Sequence, residues 1–199
     1  MPFFTEGERS LQRRIKGTRT FDAPESIGMS IVNFFETVEG TWFSQRTTHF
    51  APGQPSQTGQ ATLKIARVET SDARVTALCQ QCNADANAAI FAYTIQQEGQ
   101  ASLYGSGAAT PPRTTLMVGL KSDDDCSGQF FSQTDREPAI AGKYCLEGEV
   151  LTLSVRNEEF QSDERLWYMN PNLRMRTSLV KRADGYQMAS FCSEIRRSS

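Results

Sequence analysis

Downstream of Trp42 the apolar side chains recur with a period of two. Leu63 and Ile65 form one such run, and Ile90, Ala92 and Thr94 interdigitate with Phe91, Tyr93 and Ile95. Val75, Ala77 and Cys79 read the same way, as do Leu116, Val118 and Leu120, and then Leu151, Leu153 and Val155. Alternate side chains of an extended chain point to opposite faces, so these runs predict β-strands. The breakers between them are polar and closely spaced: Pro52-Gly53, Ser71-Asp72, Gln97-Glu98-Gly99, Pro111-Pro112, Asp123-Asp124-Asp125, Gly148 and Asp184-Gly185. About eight to ten short antiparallel strands joined in this way make a meander, which closes into a barrel or folds into a sandwich. Upstream the period changes. Ile31, Phe34, Phe35 and Val38 fall at i, i+3, i+4 and i+7 behind Ser30, a candidate N-cap, and predict a short amphipathic helix that Gly40 ends.

Composition narrows this picture. A chain of 199 residues has room for one ordinary domain, and 38% hydrophobic with 22% charged residues describes a globular protein, not a collagen, a coiled coil or a membrane bundle. The absence of a repeat of about 20 to 50 residues excludes propellers and solenoids. A formal charge of −2 gives no reason to expect binding to nucleic acid or an anionic membrane, so any basic site must be local. His49 is the one histidine, which excludes His-rich zinc sites. It alternates with Gln45 and Thr47 and reads as a strand histidine on their face. Five cysteines, with no apolar secretory segment and no run long enough to cross a bilayer, point to reduced thiols inside the cell. Cys79 and Cys82 have redox or metal spacing, but no second such pair exists, so one buried and one exposed thiol is the expectation and no metal is assigned. Residues 1–28 interleave Arg9, Arg13, Arg14, Lys16 and Arg19 with Glu6, Glu8, Asp22 and Glu25. They read as a flexible extension ahead of a domain over residues 29–199. Its arginines suit an organellar transit peptide, but Glu6 and Glu8 argue against one.

The densest chemistry lies near the C-terminus. Asn170-Pro171-Asn172 is a predicted turn, after which Arg174 and Arg176 share one strand face while Leu173, Met175 and Thr177 share the other. Two guanidiniums about 7 Å apart suit a ligand with two carboxylates or phosphates, with Glu164 and Glu194 as the nearby carboxylates. The competing reading is an outward strand face whose arginines are solvated or paired. At the other end of the chain, a short helix running straight into Gly40-Thr41-Trp42 is the opening of lipocalin-like barrels, where glycine permits the sharp turn and the indole plugs one barrel end. Such a barrel has room for one small ligand, which points to ligand binding or delivery.

Several motifs, in order and with consistent spacing from Phe34 to Arg197, carry a family resemblance. They are Phe34-Phe35-Glu36 before Gly40-Thr41-Trp42, Trp42 through His49, Leu78-Cys79, Gly142-Lys143-Tyr144, Glu164 through Tyr168 and on to Arg176, and Ser190 through Arg197. On these the chain resembles the S-type phycobilin lyases, the CpcS/CpeS chromophore lyase family. The resemblance implies an all-β fold, a lipocalin-like antiparallel barrel of the calycin or fatty-acid-binding-protein kind, with about eight to ten strands and a short N-terminal helix. It implies an enzyme that binds a linear tetrapyrrole, phycocyanobilin or phycoerythrobilin, and attaches it by a thioether to a cysteine of a phycobiliprotein subunit of the phycoerythrin or phycocyanin type. The bilin is substrate, with no permanently bound cofactor. A homo-oligomer or a second lyase subunit, and a cyanobacterial cytoplasm or an algal plastid stroma, belong to the same expectation. On this reading Arg174 and Arg176 hold the propionates, and Trp167, Tyr168 and Tyr93 stack on the pyrroles. Glu164 is the proton-exchanging acid and Glu194 the second choice. The acceptor thiol forms the bond, so the lyase supplies no nucleophile. Two features depart from the family: Phe91-Ala92-Tyr93 stands where a tryptophan is frequent, and residues 1–28 precede the usual start near Met29. A non-catalytic carrier or chaperone of bilin, or of another carboxylated hydrophobic ligand, is the alternative.

Overall fold

In a computed structural model describing residues 30–51, 54–100 and 110–197, ten strands follow one another as neighbours and the first closes on the last. The strands are β1 (Gly40–Phe50), β2 (Gln57–Arg67), β3 (Ala89–Gln100), β4 (Thr110–Leu120), β5 (Ser127–Thr134), β6 (Ile140–Glu147), β7 (Val150–Arg156), β8 (Phe160–Asn170), β9 (Leu173–Arg182) and β10 (Gln187–Arg196). All pairs are antiparallel. Full closure leaves no edge strand with unpaired backbone groups. The expected extension over residues 1–28 and the Pro52-Gly53 turn lie outside the described residues.

The predicted helix forms as α1 (Ile31–Glu36), with Ser30 Oγ accepting from the Asn33 amide at 3.3 Å. Six residues do not hold a helix by themselves. Ile31, Phe34 and Phe35 hold it by burial across one end of the barrel, together with Val38. Trp42, two residues into β1, is fully buried there, and its indole N–H donates to the Val38 carbonyl at 2.9 Å.

The reading of Val75, Ala77 and Cys79 as a strand is corrected: they lie on a helix, α2 (Ala73–Gln81). The breaker Ser71-Asp72 supplies its N-cap, Asp72, whose carboxylate accepts from the Arg74 amide at 2.8 Å. Ala77 is exposed whereas Leu78 is buried, so the true stripe is Val75, Leu78 and Cys79 at helical spacing. It packs on the outside of the barrel against Ala92, Val118 and Phe131. Burial pushes the Cys79 thiol up, with Cys82 and Asp85 adding to the effect.

Two expected breakers also fall inside strands. Between the pairs Gln97–Arg113 and Gly99–Thr110 the register of β3 and β4 shifts, with Pro111 and Pro112 in the shift. A bulge tolerates prolines because it breaks the ladder where the missing amides would have bonded.

Candidate functional site

Alternation along the strands divides the barrel interior into two halves. Beside α1, the inward positions carry Trp42, Leu63, Ile65, Phe91, Tyr93, Tyr144, Leu151 and Leu166, all buried. Close packing there depends on missing side chains: a Cβ on Gly119 would lie 1.9 Å from the Phe91 ring. Moving away from α1, small residues enter the inward positions, with Ser44 and Thr48 on β1, Gly59 and Ala61 on β2, Ser162 on β8, Ser178 on β9 and Ser190 on β10 standing beside the apolar Leu153, Val155, Val180 and Met188 on the same face. Small inward residues leave room that large ones would fill.

At the boundary between the halves sits a charged cluster. Arg174 Nε donates to Glu194 Oε2 at 2.6 Å, and Arg176 Nη2 lies 2.8 Å from Glu194 Oε1. Arg176 Nη1 donates to Glu164 Oε2 at 3.2 Å, and Ser44 Oγ donates to Glu194 Oε1 at 3.3 Å. Desolvation pushes the Glu194 carboxyl up, but Arg176, Arg174 and the two hydrogen bonds outweigh it and hold the carboxyl below its ordinary value. Burial likewise works against the charge of Arg176, which Glu164 and Glu194 sustain. Side-chain exposure grades through the cluster: 0% for Glu194, 3% for Arg174, 17% for Arg176 and 30% for Glu164. Among the described residues Arg174 Nη1 and Arg176 Nε are buried donors without a hydrogen-bond partner. Of the two, Arg176 Nε, on the more exposed side chain, suits an acceptor oxygen from a ligand, whereas Arg174 is 3% exposed.

Trp42 ties this cluster to the barrel end. The Arg174 guanidinium lies 4.1 Å from the indole centroid and the Arg196 guanidinium 4.2 Å from it. Arg196 in turn donates to the carbonyls of Thr37, Glu39 and Pro171, binding the C-terminal side of α1 to the β8–β9 turn.

The structure brings together four of the residues singled out in the sequence, Arg174, Arg176, Glu164 and Glu194, on the inward face. The three aromatic candidates lie elsewhere. Trp167 is turned outward by strand alternation, in register with Met175 and Val150. Tyr168 points inward at the α1 end, where its hydroxyl donates to the Thr37 carbonyl at 3.0 Å and its ring meets Phe34 and Trp42. Tyr93 is buried in the same core, stacked against Phe35 at 5.8 Å. His49 points outward, with Nδ1 2.7 Å from Ser56 Oγ.

Sequence reasoning missed Arg46. It stands two and four residues along β1 from Ser44 and Trp42, so it points inward, in register with Gly59 and with Cys192, which itself pairs with Arg176. Among the described residues its guanidinium has no hydrogen bond and no ion pair. The alternation that began at Trp42 carried the signal: every second residue from the buried indole faces the interior.

Comparison with known proteins gives a consistent result. The family described as CpeS-like protein matches residues 30–197. The chromophore lyase CpcS/CpeS of Thermosynechococcus vestitus is 35% identical over 85% of this chain and 94% of its own length. The chromophore lyase CpcS/CpeS 1 of Trichodesmium erythraeum is 34% identical over 85% of this chain and 98% of its own. Among solved structures, the S-type phycobiliprotein lyase CPES of Guillardia theta superposes with a TM-score of 0.74 at 24% identity, covering 86% of this chain and 94% of that one, and shows the same fold. With a ten-strand barrel, a capping helix and matches that run nearly from end to end, the chain belongs to the CpeS-like family.

Proposed function

We propose that the protein is a chromophore lyase that holds a linear tetrapyrrole in the small-residue half of its barrel and presents it to a cysteine thiol of an apo-phycobiliprotein subunit. The observation that carries the site assignment is Arg46, an inward cation without a partner among the described residues, one strand removed from Arg176 across Cys192. Two strand spacings set the backbones of Arg46 and Arg176 about 10 Å apart, and their flexible side chains close that distance onto two propionates. Arg174 is sealed under the cluster and spends its charge on Glu194. In this reading Glu194 and Arg174 position Arg176 without touching the bilin.

Glu164, the most exposed member of the cluster, faces the pyrrole nitrogens and holds or exchanges their proton. The bond is an addition. The acceptor's sulfur joins the ethylidene carbon of ring A, the thiol hydrogen goes to the adjoining ring carbon, and nothing is oxidised or expelled. The barrel contributes by fixing one bilin geometry and exposing one face, which suppresses misaddition. Phycocyanobilin and phycoerythrobilin both carry the propionates this arrangement takes, and acceptors of the phycocyanin or phycoerythrin type supply the thiol. The cyanobacterial relatives support a cytoplasmic setting; a plastid stroma is its algal equivalent.

The test is a transfer assay with free bilin and an apo-phycobiliprotein. The expected product is an acid-stable covalent adduct on the acceptor, formed faster and more uniformly than without the protein. A bilin complex that never yields adduct on any acceptor would reduce the protein to a carrier.

A further inference from the structure

At the α1 end of the barrel a groove of about 540 Å³ opens between α1 and the β8–β9 turn. Its apolar wall is Phe34, Tyr168, Met169 and Pro171, and Met169, 62% exposed, is the most exposed large hydrophobic side chain among the described residues. Arg196 also lines the groove, but its guanidinium is committed to the carbonyls of Thr37, Glu39 and Pro171. That leaves Glu149 as the one lining charge without a partner among the described residues. Glu149 belongs to an acidic rim. Asp123, Asp124 and Asp125 in the β4–β5 turn, with Glu147 and Glu149 at the β6–β7 turn, are all exposed, and none is in an ion pair among the described residues. Lys121 is the one cation in those two turns.

We infer that residues 9–19 of this chain dock across the closed end, with the Leu11 and Ile15 side chains in the groove against Met169 and the cations over the acidic rim. The charge is complementary. Residues 9–19 carry Arg9, Arg13, Arg14, Lys16 and Arg19 and no carboxylate, and setting those five cations aside takes the formal charge of the rest of the chain from −2 to −7. Leu11 and Ile15 are the only large apolar side chains in the segment, so the apolar groove selects them. The chain also enters at the right place. Ser30 leads directly into α1, the Ile31 amide donates to the Asp125 carbonyl at 3.4 Å, and Phe34 stands about 6 Å farther along the helix. Residues 20–29 reach at most about 33 Å, enough to bring the basic stretch back over this end. A covalent connection that short gives an effective concentration of about millimolar, so a contact too weak to retain a separate protein is filled by this segment. The groove lies at the opposite end from Arg46 and the open half, and the inference does not depend on the bilin reading.

Carbodiimide coupling of amines to carboxylates in the intact chain, read by mass spectrometry, tests it. Lys16 is the one lysine among residues 1–29, which makes its couplings a direct report on the segment. The expected product joins Lys16 to Glu147, Glu149 or one of Asp123, Asp124 and Asp125, and a mixture of isotopically heavy and light chains gives no heavy–light pairs. Leu11→Asp and Met169→Asp should each lower that yield by about tenfold and speed tryptic cleavage after Arg13 and Arg14 by a similar factor, because cleavage follows the undocked population. Met169 is exposed, so circular dichroism of Met169→Asp should match the parent. Lys16 that couples to none of these carboxylates, or mainly to Glu158, Glu159 and Asp184 at the other end of the barrel, overturns the inference. Heavy–light pairs place the contact between chains and overturn it too, as does a yield that neither substitution lowers.

Discussion

The two halves of the barrel solve opposite problems with the same strands. Beside α1, inward positions are large and apolar, glycines on β4, β5 and β6 make way for Phe91, Tyr144 and Phe130, and the indole of Trp42 fills the end. Beyond the Arg174–Glu194 pair small and charged residues join Leu153, Val155, Val180 and Met188 at the inward positions, and Arg46 carries a charge with nothing to neutralise it among the described residues. One half is optimised for its own packing. The other forgoes packing and leaves donors unmatched, as a binding site must before its ligand arrives. The boundary is where the two meet, with Trp42 on one side of Arg174 and Glu194 on the other.

Four substitutions probe that division, beginning where the stability loss should be greatest. Trp42→Ala removes a fully buried indole and the surface that both Arg174 and Arg196 lie over, and should cost about 5 kcal/mol in chemical denaturation. A loss below about 1 kcal/mol would mean that the end is not closed by packing. Glu194→Gln comes next, because it leaves Arg174 buried without its counter-charge, at a cost of about 3 kcal/mol. Its pH dependence is distinctive. The carboxyl of Glu194 lies below its ordinary 4.5 in the folded chain, so the unfolded chain takes up the proton first and stability falls as pH drops from about 4.5 through the lower folded value. The Glu194→Gln variant lacks that component, so the two stability curves should converge in acid; parallel curves would mean that Glu194 is not held charged. Gly119→Ala should cost about 2 kcal/mol through overpacking against Phe91, measured as a lower urea midpoint.

The closed half was largely legible in the sequence and the open half only partly. Helix, glycine and Trp42 could be read because burial imposes strict periods, 3.6 on α1 and two on β1. The α2 segment misled because Val75, Ala77 and Cys79 alternate while the decisive residue, Leu78, falls between them. In the open half the turn at Asn170-Pro171-Asn172 fixed which face Arg174 and Arg176 share, but not that Arg174 is sealed. Sealing depends on Glu194 and Trp42, distant in sequence and adjacent only once β10 closes on β1. Trp167 shows the limit from the other side. The resemblance implied aromatic rings stacked on the pyrroles without saying which way each points, and strand alternation gives the inward position on β8 to Tyr168 and turns Trp167 outward.

The substitution with the smallest effect on folding is the one that most directly tests the division. Arg46 has no bond to lose among the described residues, so Arg46→Ala should change stability by no more than about 0.5 kcal/mol, the range of a substitution away from specific interactions. Its effect on ligand binding should be of another order. A guanidinium bonded to a propionate contributes about 1.5–3 kcal/mol, so bilin affinity should fall by roughly one to two decades, read from the absorbance change on titration. Arg46→Lys keeps the charge but not the planar fork, and should recover part of that loss. Such a result would show a residue kept for binding at no benefit to the fold, the inverse of Trp42. If Arg46→Ala instead binds bilin as the parent does, the propionates lie on another wall of the barrel and the open half owes its loose packing to something else.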